Sequence, residues 1–370
     1  MAGRWHRLYS GETTINFYGR RNIGFVASGL LLIVTIGSLI FQGLNLGIDF
    51  TGGVAFELPA KGQLNVAAAE KILDDNKVDS SNAKILTLSS GDDQRLRIQF
   101  GEVEEKIETA IKEDLSKKAS VDIKEVSVEK VSATWGRNIT WDAVRALAVF
   151  LLLVSLFIAW RFESRMAIGS LVAVVHDVVI SVGVYSVLQL EVTPSTVVSF
   201  LTILGFSLYD TIVVFDKVQE NVTRFSGSRV SYGDIVNVSM NQVLMRSLNT
   251  TISAVLPVLS LLLLGSGVFG AVALQEFALA LLVGMVVGAY SSIYIATPIL
   301  GLLRERSGEF ASKRGELSLG KDMEVLMATG APASRRASAR NNESASEVAP
   351  LPAVDAILSH PPRPRKKSRR

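Results

Sequence analysis

The stretch STVVSFLTILGFSLYDTIVVF, residues 195–215, carries a single charged residue, Asp210, within an otherwise uncharged run. About 20 apolar residues are enough for an α-helix to cross the hydrocarbon core of a bilayer. Comparable runs predict further spans over residues 23–41, 144–159, 166–190, 244–264 and 271–303. The sequence therefore predicts a polytopic α-helical membrane protein with six transmembrane helices.

The bulk composition agrees with a membrane protein and argues against several other classes. The 370 residues are 48% hydrophobic, and the mean hydropathy is +0.34. The net charge of +3 comes from basic residues beside apolar spans and in the tail, so we expect no nucleic-acid binding. The chain has no cysteine and only three histidines. We therefore expect no disulfide, no metal site and no other cofactor.

The first span reads as an uncleaved anchor, because residues 23–41 continue into a polar segment without a small-residue cleavage site. A basic segment, residues 1–22, precedes it. Residues 42–140 are predicted to form a separate domain whose strands and helices follow the order βαββαβ. That order is typical of a ferredoxin-like α+β fold.

The short loops predict the orientation in the membrane. Arg20 and Arg21 share one side with the basic residues of two later loops, whereas the loops around Val192 and Gly267 contain no lysine or arginine. The positive-inside rule then predicts cytoplasmic termini and an extracytoplasmic domain. Residues 304–370 are rich in Ser, Ala, Pro and Arg, and we expect a disordered basic cytoplasmic tail next to the bilayer.

Polar residues inside the spans are the candidate functional residues. A carboxylate in mid-membrane costs roughly 2.5 to 3.5 kcal/mol on insertion scales, so Asp177 and Asp210 each require a partner, hydration or a proton. In the fifth span, Arg246 opens a polar stripe with Asn249, Thr250 and Ser253 at helical spacing.

Helical spacing also puts Ser207, Asp210 and Lys217 on one face of the fourth span, and Ser170, Asp177 and Ser181 on one face of the third. With the three stripes facing each other, they would form a hydrated seam in which Asp210 contacts Arg246. We predict a proton relay made of Asp210 and Arg246, with Asp177 and His176 as an auxiliary step. A static buried ion pair is the alternative for Asp210 and Arg246, and a structural hydrogen bond between the two residues is the alternative for Asp177 and His176. Small residues in the sixth span, namely Gly284, Gly288 and Ser291, predict close helix packing.

Several motifs together resemble the SecF family, the smaller partner in the SecD–SecF membrane complex of bacterial protein export. They are GIDFTGG (47–53), His176-Asp177, GFSLYDTIVVFD (205–216), RSLNT (246–250) and GAYSSI (288–293). The resemblance covers roughly residues 13–303 and leaves the tail outside it.

The resemblance implies a six-helix half-bundle of the resistance-nodulation-division type in the bacterial cell membrane, with no enzymatic activity. It implies partnership with SecD, the SecYEG channel, SecA on the cytoplasmic side and unfolded preproteins. It also implies that the proton motive force drives preprotein translocation and release. Asp49, Phe50, Thr51, Gly52 and Gly53 would then transmit motion to the domain, although an ordinary tight turn is equally compatible with the two glycines.

Two other classes stay open from the residues alone. Two intramembrane carboxylates are also found in aspartyl proteases, where a pair of Asp side chains shares a proton. The second Asp of those enzymes follows a Gly-x-Gly motif, whereas Asp177 follows Val174-Val175-His176. A proton-coupled exporter of lipids or small molecules is the other alternative, but this chain carries only one six-helix half and one modest domain.

Overall fold

The computed structural model describes residues 13–90, 93–226, 230–267, 272–306 and 317–329. In these ranges six helical segments have the length and hydropathy to cross a membrane. They are α1 (Arg21–Phe41), α5 (Ala133–Arg161), α6 (Ser164–Val187), α7 (Pro194–Arg224), α8 (Tyr232–Gly267) and the continuous pair formed by α9 (Val272–Ser291) and α10 (Thr297–Glu305). The predicted number of spans is confirmed.

Several helices are longer than the apolar runs that predicted them. Helix α5 begins at Ala133 rather than near residue 144, because the side chain of Ser132 accepts a hydrogen bond from the backbone N–H of Trp135. Helix α7 continues to Arg224, and α8 begins at Tyr232. The polar ends of these helices extend beyond the apolar windows, and hydropathy alone does not detect them.

A short π-helical segment, Ser292–Ala296, interrupts the sixth span between α9 and α10. The hydroxyl of Thr297 donates to the carbonyl oxygen of Ser292 at 2.7 Å, which gives that carbonyl a partner. Such a segment changes which residues face a neighbouring helix, and π-bulges are frequent at functional sites. The sequence analysis did not predict it.

The domain between α1 and α5 has the predicted ferredoxin-like fold. Its elements are β1 (Gly53–Pro59), α3 (Val66–Asp75), β2 (Lys84–Ser90), β3 (Asp93–Phe100), α4 (Glu105–Ala119) and β4 (Ser127–Val131). The sheet order is β2-β3-β1-β4, and every pairing is antiparallel. Apolar side chains of the sheet, such as Phe56 and Ile98, pack against Leu73 and Leu115 of the two helices.

The end of the chain departs from the predicted disordered tail. Helix α11 (Lys321–Thr329) packs against α8 and buries Met323 and Leu326. The side chain of Asp234 also accepts a hydrogen bond from the backbone N–H of Ser318. Residues three positions apart lie on the same face of a helix, so both side chains enter the apolar core of the bundle. Residues 307–316 and 330–370 lie outside the described residues.

Candidate functional site: two carboxylates inside the helical bundle

Asp177 lies near the middle of α6 and is only 1% exposed. Two hydroxyls donate to its Oδ2 atom, Ser207 Oγ of α7 at 2.5 Å and Ser291 Oγ of α9 at 2.8 Å. The Nδ1 atom of His176 lies 3.1 Å from its Oδ1 atom. The carboxylate therefore ties α6, α7 and α9 together through side-chain hydrogen bonds.

Asp210 lies near the middle of α7 and is 5% exposed. Ser247 Oγ of α8 donates to its Oδ1 atom at 2.5 Å, and Ser292 Oγ donates to its Oδ2 atom at 2.5 Å. Within the described ranges no Lys or Arg side chain forms an ion pair with Asp210. Its observed partners are thus neutral hydroxyls, which can donate to a carboxylate or accept from a carboxylic acid.

Two adjacent serines of the sixth span each contact one of the two carboxylates. Ser291 contacts Asp177 and Ser292 contacts Asp210, although the carboxylates belong to different helices. Neighbouring residues on an α-helix point about 100° apart, so two adjacent residues at the end of one helix can contact two different helices packed beside it. The junction of α9 with the π-helical segment supplies this pair where the sixth span packs against both α6 and α7.

The predicted contact between Asp210 and Arg246 is absent. Arg246 is exposed, as are Asn249 and Ser253 of the same stripe, and no described carboxylate pairs with its guanidinium. The residue that reaches Asp210 is Ser247, one position further along α8. The stripe was therefore assigned to the wrong face: its first residue points away from the bundle formed by this chain.

His176 extends the hydrogen-bonded network to the first span. Its Nε2 atom lies 3.1 Å from Ser28 Oγ, and Ser28 Oγ lies 3.0 Å from the hydroxyl of Tyr290. That hydroxyl donates to the carbonyl oxygen of Gly24 at 2.8 Å. The imidazole ring therefore bridges the carboxyl group of Asp177 and the hydroxyl of Ser28. Ser28 and Tyr290 were not predicted as part of the site.

The packing residues of the sixth span lie against α7. A Cβ atom added to Gly284 would collide with the side chain of Ile203, and one added to Gly288 would lie 2.8 Å from Cβ of Ser207. These contacts bring α9 close enough for Ser291 and Ser292 to reach the carboxylates. Ser291 is thus a hydrogen-bond donor to the site as well as a small residue at the helix interface.

The segment 49–53 joins the domain to the bundle through a tightly packed crossing. Asp49, Phe50 and Thr51 lie in a short helix, α2 (Ile48–Thr51), which is followed by Gly52 and Gly53. Gly52 has φ of +75°, and a Cβ atom there would lie 2.7 Å from the backbone of Ala133. The crossing leaves no room for a Cβ atom at Gly52, so this segment packs tightly between β1 and the start of α5.

Polar contacts also hold the domain against the membrane part. The amide of Gln99 donates to Glu191 at 2.8 Å, and Lys84 donates to the carbonyl oxygen of Leu46 at 2.7 Å. Burial raises the pKa of Asp49, and the nearby Arg97 guanidinium opposes this shift. Burial lowers the pKa of Lys84. Domain and bundle are thus joined by charged groups that are partly removed from water.

The geometry does not resemble an aspartyl protease dyad. Asp177 and Asp210 form no hydrogen bond with each other, and each accepts hydrogen bonds from two serines of its own. Among the described residues no group of three or more His, Asp or Glu side chains has the arrangement of a metal site. Two buried carboxylates that accept from hydroxyls of neighbouring helices can take up protons, bind water or hold the helices together.

Two family models match the chain. Residues 111–306 match the model "Protein export membrane protein SecD/SecF, C-terminal", and residues 37–63 match the model "SecD/SecF GG Motif". The first match includes both intramembrane carboxylates and their serines. The second includes the packed glycines Gly52 and Gly53.

Curated proteins and solved structures give the same result. The chain is 41% identical over 300 residues to protein translocase subunit SecF of Streptomyces coelicolor, covering 81% of this chain and 79% of the relative. It is 40% identical to the SecF of Mycobacterium tuberculosis strain CDC 1551, covering 81% and 70% of the two chains. It superposes on the crystal structure of SecDF, a translocon-associated membrane protein from Thermus thermophilus, with a TM-score of 0.71 and 32% identity. That match covers 80% of this chain and 39% of the SecDF chain.

Proposed function

This chain belongs to the SecF family, and from that premise we propose that it uses a transmembrane proton gradient to promote preprotein export. It is a multi-pass accessory membrane subunit of the Sec protein translocase, and it works with SecD. The proton use, the substrates and the remaining partners are our proposals.

The proposal rests on the environment of Asp210. A buried carboxylate whose observed partners are neutral hydroxyls has no fixed counter-charge, so gaining or losing a proton changes the net charge of the bundle centre. Ser247 and Ser292 come from two different helices, so this change acts directly on how α8 and the sixth span pack against α7. One elementary charge moved across the membrane is worth about 2.3 kcal/mol per 100 mV.

Asp177 and His176 form a second branch of the same proposed relay. This branch lies next to Asp210 because Ser291 and Ser292, which hold the two carboxylates, are adjacent in sequence, and Ser28 connects it to α1. Helix α1 leads directly into the segment 49–53, which is packed against α5 and β1. A proton-dependent shift of the helices would thereby move the domain, where we propose that the emerging polypeptide is handled.

The exposed stripe on α8 supports a partner interface. Arg246, Asn249 and Ser253 are exposed polar side chains at membrane depth, and no helix in the described part of the chain covers them. Such side chains are costly against lipid and normally face protein or water. We propose that SecD covers this stripe and that a SecD carboxylate pairs with Arg246. The SecYEG channel and SecA would act on the same preprotein from the cytoplasmic side.

The decisive experiment uses inverted membrane vesicles that contain the SecD complex. We expect the proton gradient to stimulate preprotein translocation with the wild-type protein and not with Asp210→Asn. The control is Asp216→Asn, because Asp216 lies on the same helix but is half exposed, 3.8 Å from Arg161. Equal stimulation of wild type and Asp210→Asn, at equal protein levels, removes Asp210 from the mechanism.

The proposed orientation, with the domain outside and the termini in the cytoplasm, has a direct test because the chain contains no cysteine. A membrane-impermeant maleimide added to intact cells should label Lys106→Cys in the domain. It should not label Glu220→Cys near the end of α7. The opposite pattern would reverse the topology.

A further inference from the structure

An apolar groove opens between α5 and the rest of the bundle. It has a volume of about 270 Å³, roughly twenty times what one water molecule needs. Thr140 and Leu147 of α5 form one wall, Val182 of α6 and Leu201 of α7 form another, and Phe50 of the segment 49–53 closes the end nearest the domain. Nothing in the proton relay uses this groove.

Water is a poor occupant of the groove. Besides apolar side chains its lining includes the hydroxyls of Thr140 and Tyr185, and both already have acceptors. Thr140 donates to the carbonyl oxygen of Gly136 at 2.9 Å, and Tyr185 donates to the carbonyl oxygen of Glu276 at 3.3 Å. A buried water needs two to four polar partners, which this lining does not offer.

The tryptophans of α5 give the depth of the groove in the bilayer. Trp141 and Trp160 are 63% and 84% exposed, and tryptophan concentrates at membrane interfaces. They lie 19 residues apart, which is about 29 Å along a helix and close to the hydrocarbon thickness of about 30 Å. The groove residues from Thr140 to Leu147 therefore lie at the domain-side edge of the bilayer, where the exposed Asp142–Arg145 pair meets the headgroups and Leu147 meets the acyl chains.

A cation lies above the groove at the level of the lipid headgroups. Arg137 is three residues before Thr140 and seven before Val144, so it shares the edge of the helix face that lines the groove. It is exposed, and among the described residues no carboxylate pairs with it. At four residues from Trp141, about 6 Å along the axis, its guanidinium can reach a phosphate group.

We propose that this groove binds one acyl chain of a membrane phospholipid whose phosphate pairs with Arg137. A partner helix fits the site less well, because the unpartnered polar stripe that a protein would cover lies on α8, and α5 packs mainly on α2, α6 and α7. The bound chain would contact Phe50, so the lipid would support the crossing that joins the domain to the bundle.

The test uses the complex with SecD in vesicles of phosphatidylethanolamine with a minor share of phosphatidylglycerol. A phosphatidylglycerol carrying a diazirine on one acyl chain is photoactivated, and labelled peptides are identified by mass spectrometry. We expect labelling of the α5 and α7 peptides that contain Leu147 and Leu201. Ala143→Trp should fill the groove and remove most of this labelling, whereas Leu152→Trp, on the exposed face of the same helix, should leave it unchanged.

The headgroup contact is tested by a second pair of variants, which also covers the case in which Ala143→Trp fails to fold. Arg137→Gln should reduce labelling about fivefold, because one basic residue near the membrane surface is worth about 1 kcal/mol. Arg145→Gln, on the opposite side of α5 and paired with Asp142, should not. The proposal is overturned if Arg137→Gln and a folded Ala143→Trp label like wild type, or if the groove residues crosslink to SecD or preprotein instead of lipid.

Discussion

Gly52 and Gly43 offer a matched pair of substitutions that measures how tightly the domain is joined to the bundle. Both glycines have a left-handed backbone, with φ of +75° and +70°. An added Cβ atom at Gly52 would lie 2.7 Å from the backbone of Ala133, whereas at Gly43 it would meet nothing within 4 Å. Alanine therefore strains the backbone at both positions, and more so at Gly52, whose ψ of 162° is essentially restricted to glycine; only Gly52 adds a steric clash.

The expected loss of stability follows from the backbone strain and the steric clash. A sparsely populated backbone conformation with positive φ costs about 1–3 kcal/mol for a residue with a Cβ atom, and overpacking against a backbone that cannot yield costs typically 1–3 kcal/mol more. Gly52→Ala should therefore destabilise the protein by about 2–6 kcal/mol, and Gly43→Ala by about 1–3 kcal/mol. At about 2–4 °C per kcal/mol, their melting midpoints should differ by about 2–12 °C.

The assay is thermal unfolding of the purified SecD complex in mild detergent, together with preprotein export in cells. We expect Gly52→Ala to melt lower than Gly43→Ala and to export less at equal protein levels. Equal melting midpoints would mean that Ala133 and α5 move aside without cost. The segment 49–53 would then be an ordinary flexible turn, and its tight packing between β1 and α5 would be refuted.

Three further predictions concern helix packing, the partner interface and pH. Gly284→Leu should reduce the yield of folded protein measured by size exclusion, because its side chain collides with Ile203, whereas Gly205→Leu, with open space, should not. Arg246→Gln should reduce co-purification of SecD while leaving the melting midpoint of the isolated subunit unchanged, since Arg246 is exposed and has no described ion-pair partner; unchanged co-purification contradicts the proposed interface. Burial raises the pKa of Asp49, so its contribution to stability is present below the ordinary value of 3.8 and is lost as pH rises through the raised pKa. Melting curves should therefore show Asp49→Asn above wild type at pH 7 and equal to it in acid.

The sequence predicted those parts of the fold that follow from a regular pattern of apolar residues. Uncharged runs of about 20 residues predict membrane spans, and alternation with helical patterns predicts the βαββαβ domain, which the strand order β2-β3-β1-β4 confirms. The ends of the helices could not be predicted from hydropathy. The polar ends of α5, α7 and α8 continue a helix beyond the membrane, and their stability comes from caps such as Ser132 and from contacts with other segments.

The candidate site was predicted in part. The cost of a charge in the membrane singles out Asp177 and Asp210, and His176 is adjacent in sequence. Ser247 and Ser292 were missed, although each lies next to a residue that the sequence analysis had named, Arg246 and Ser291. Serines are common in membrane helices and carry no individual signal that separates a ligand from a packing residue.

The sequence by itself determined the six spans, the domain and the two intramembrane carboxylates, because hydropathy and helical spacing are properties of one segment. Only the tertiary structure decided that Asp210 faces Ser247 and Ser292 rather than Arg246. Helical spacing fixes the angle between residues on one helix but not the rotation of that helix against its neighbours. That rotation is set by packing, here by Gly284 and Gly288 against α7 and by the π-helical segment of the sixth span.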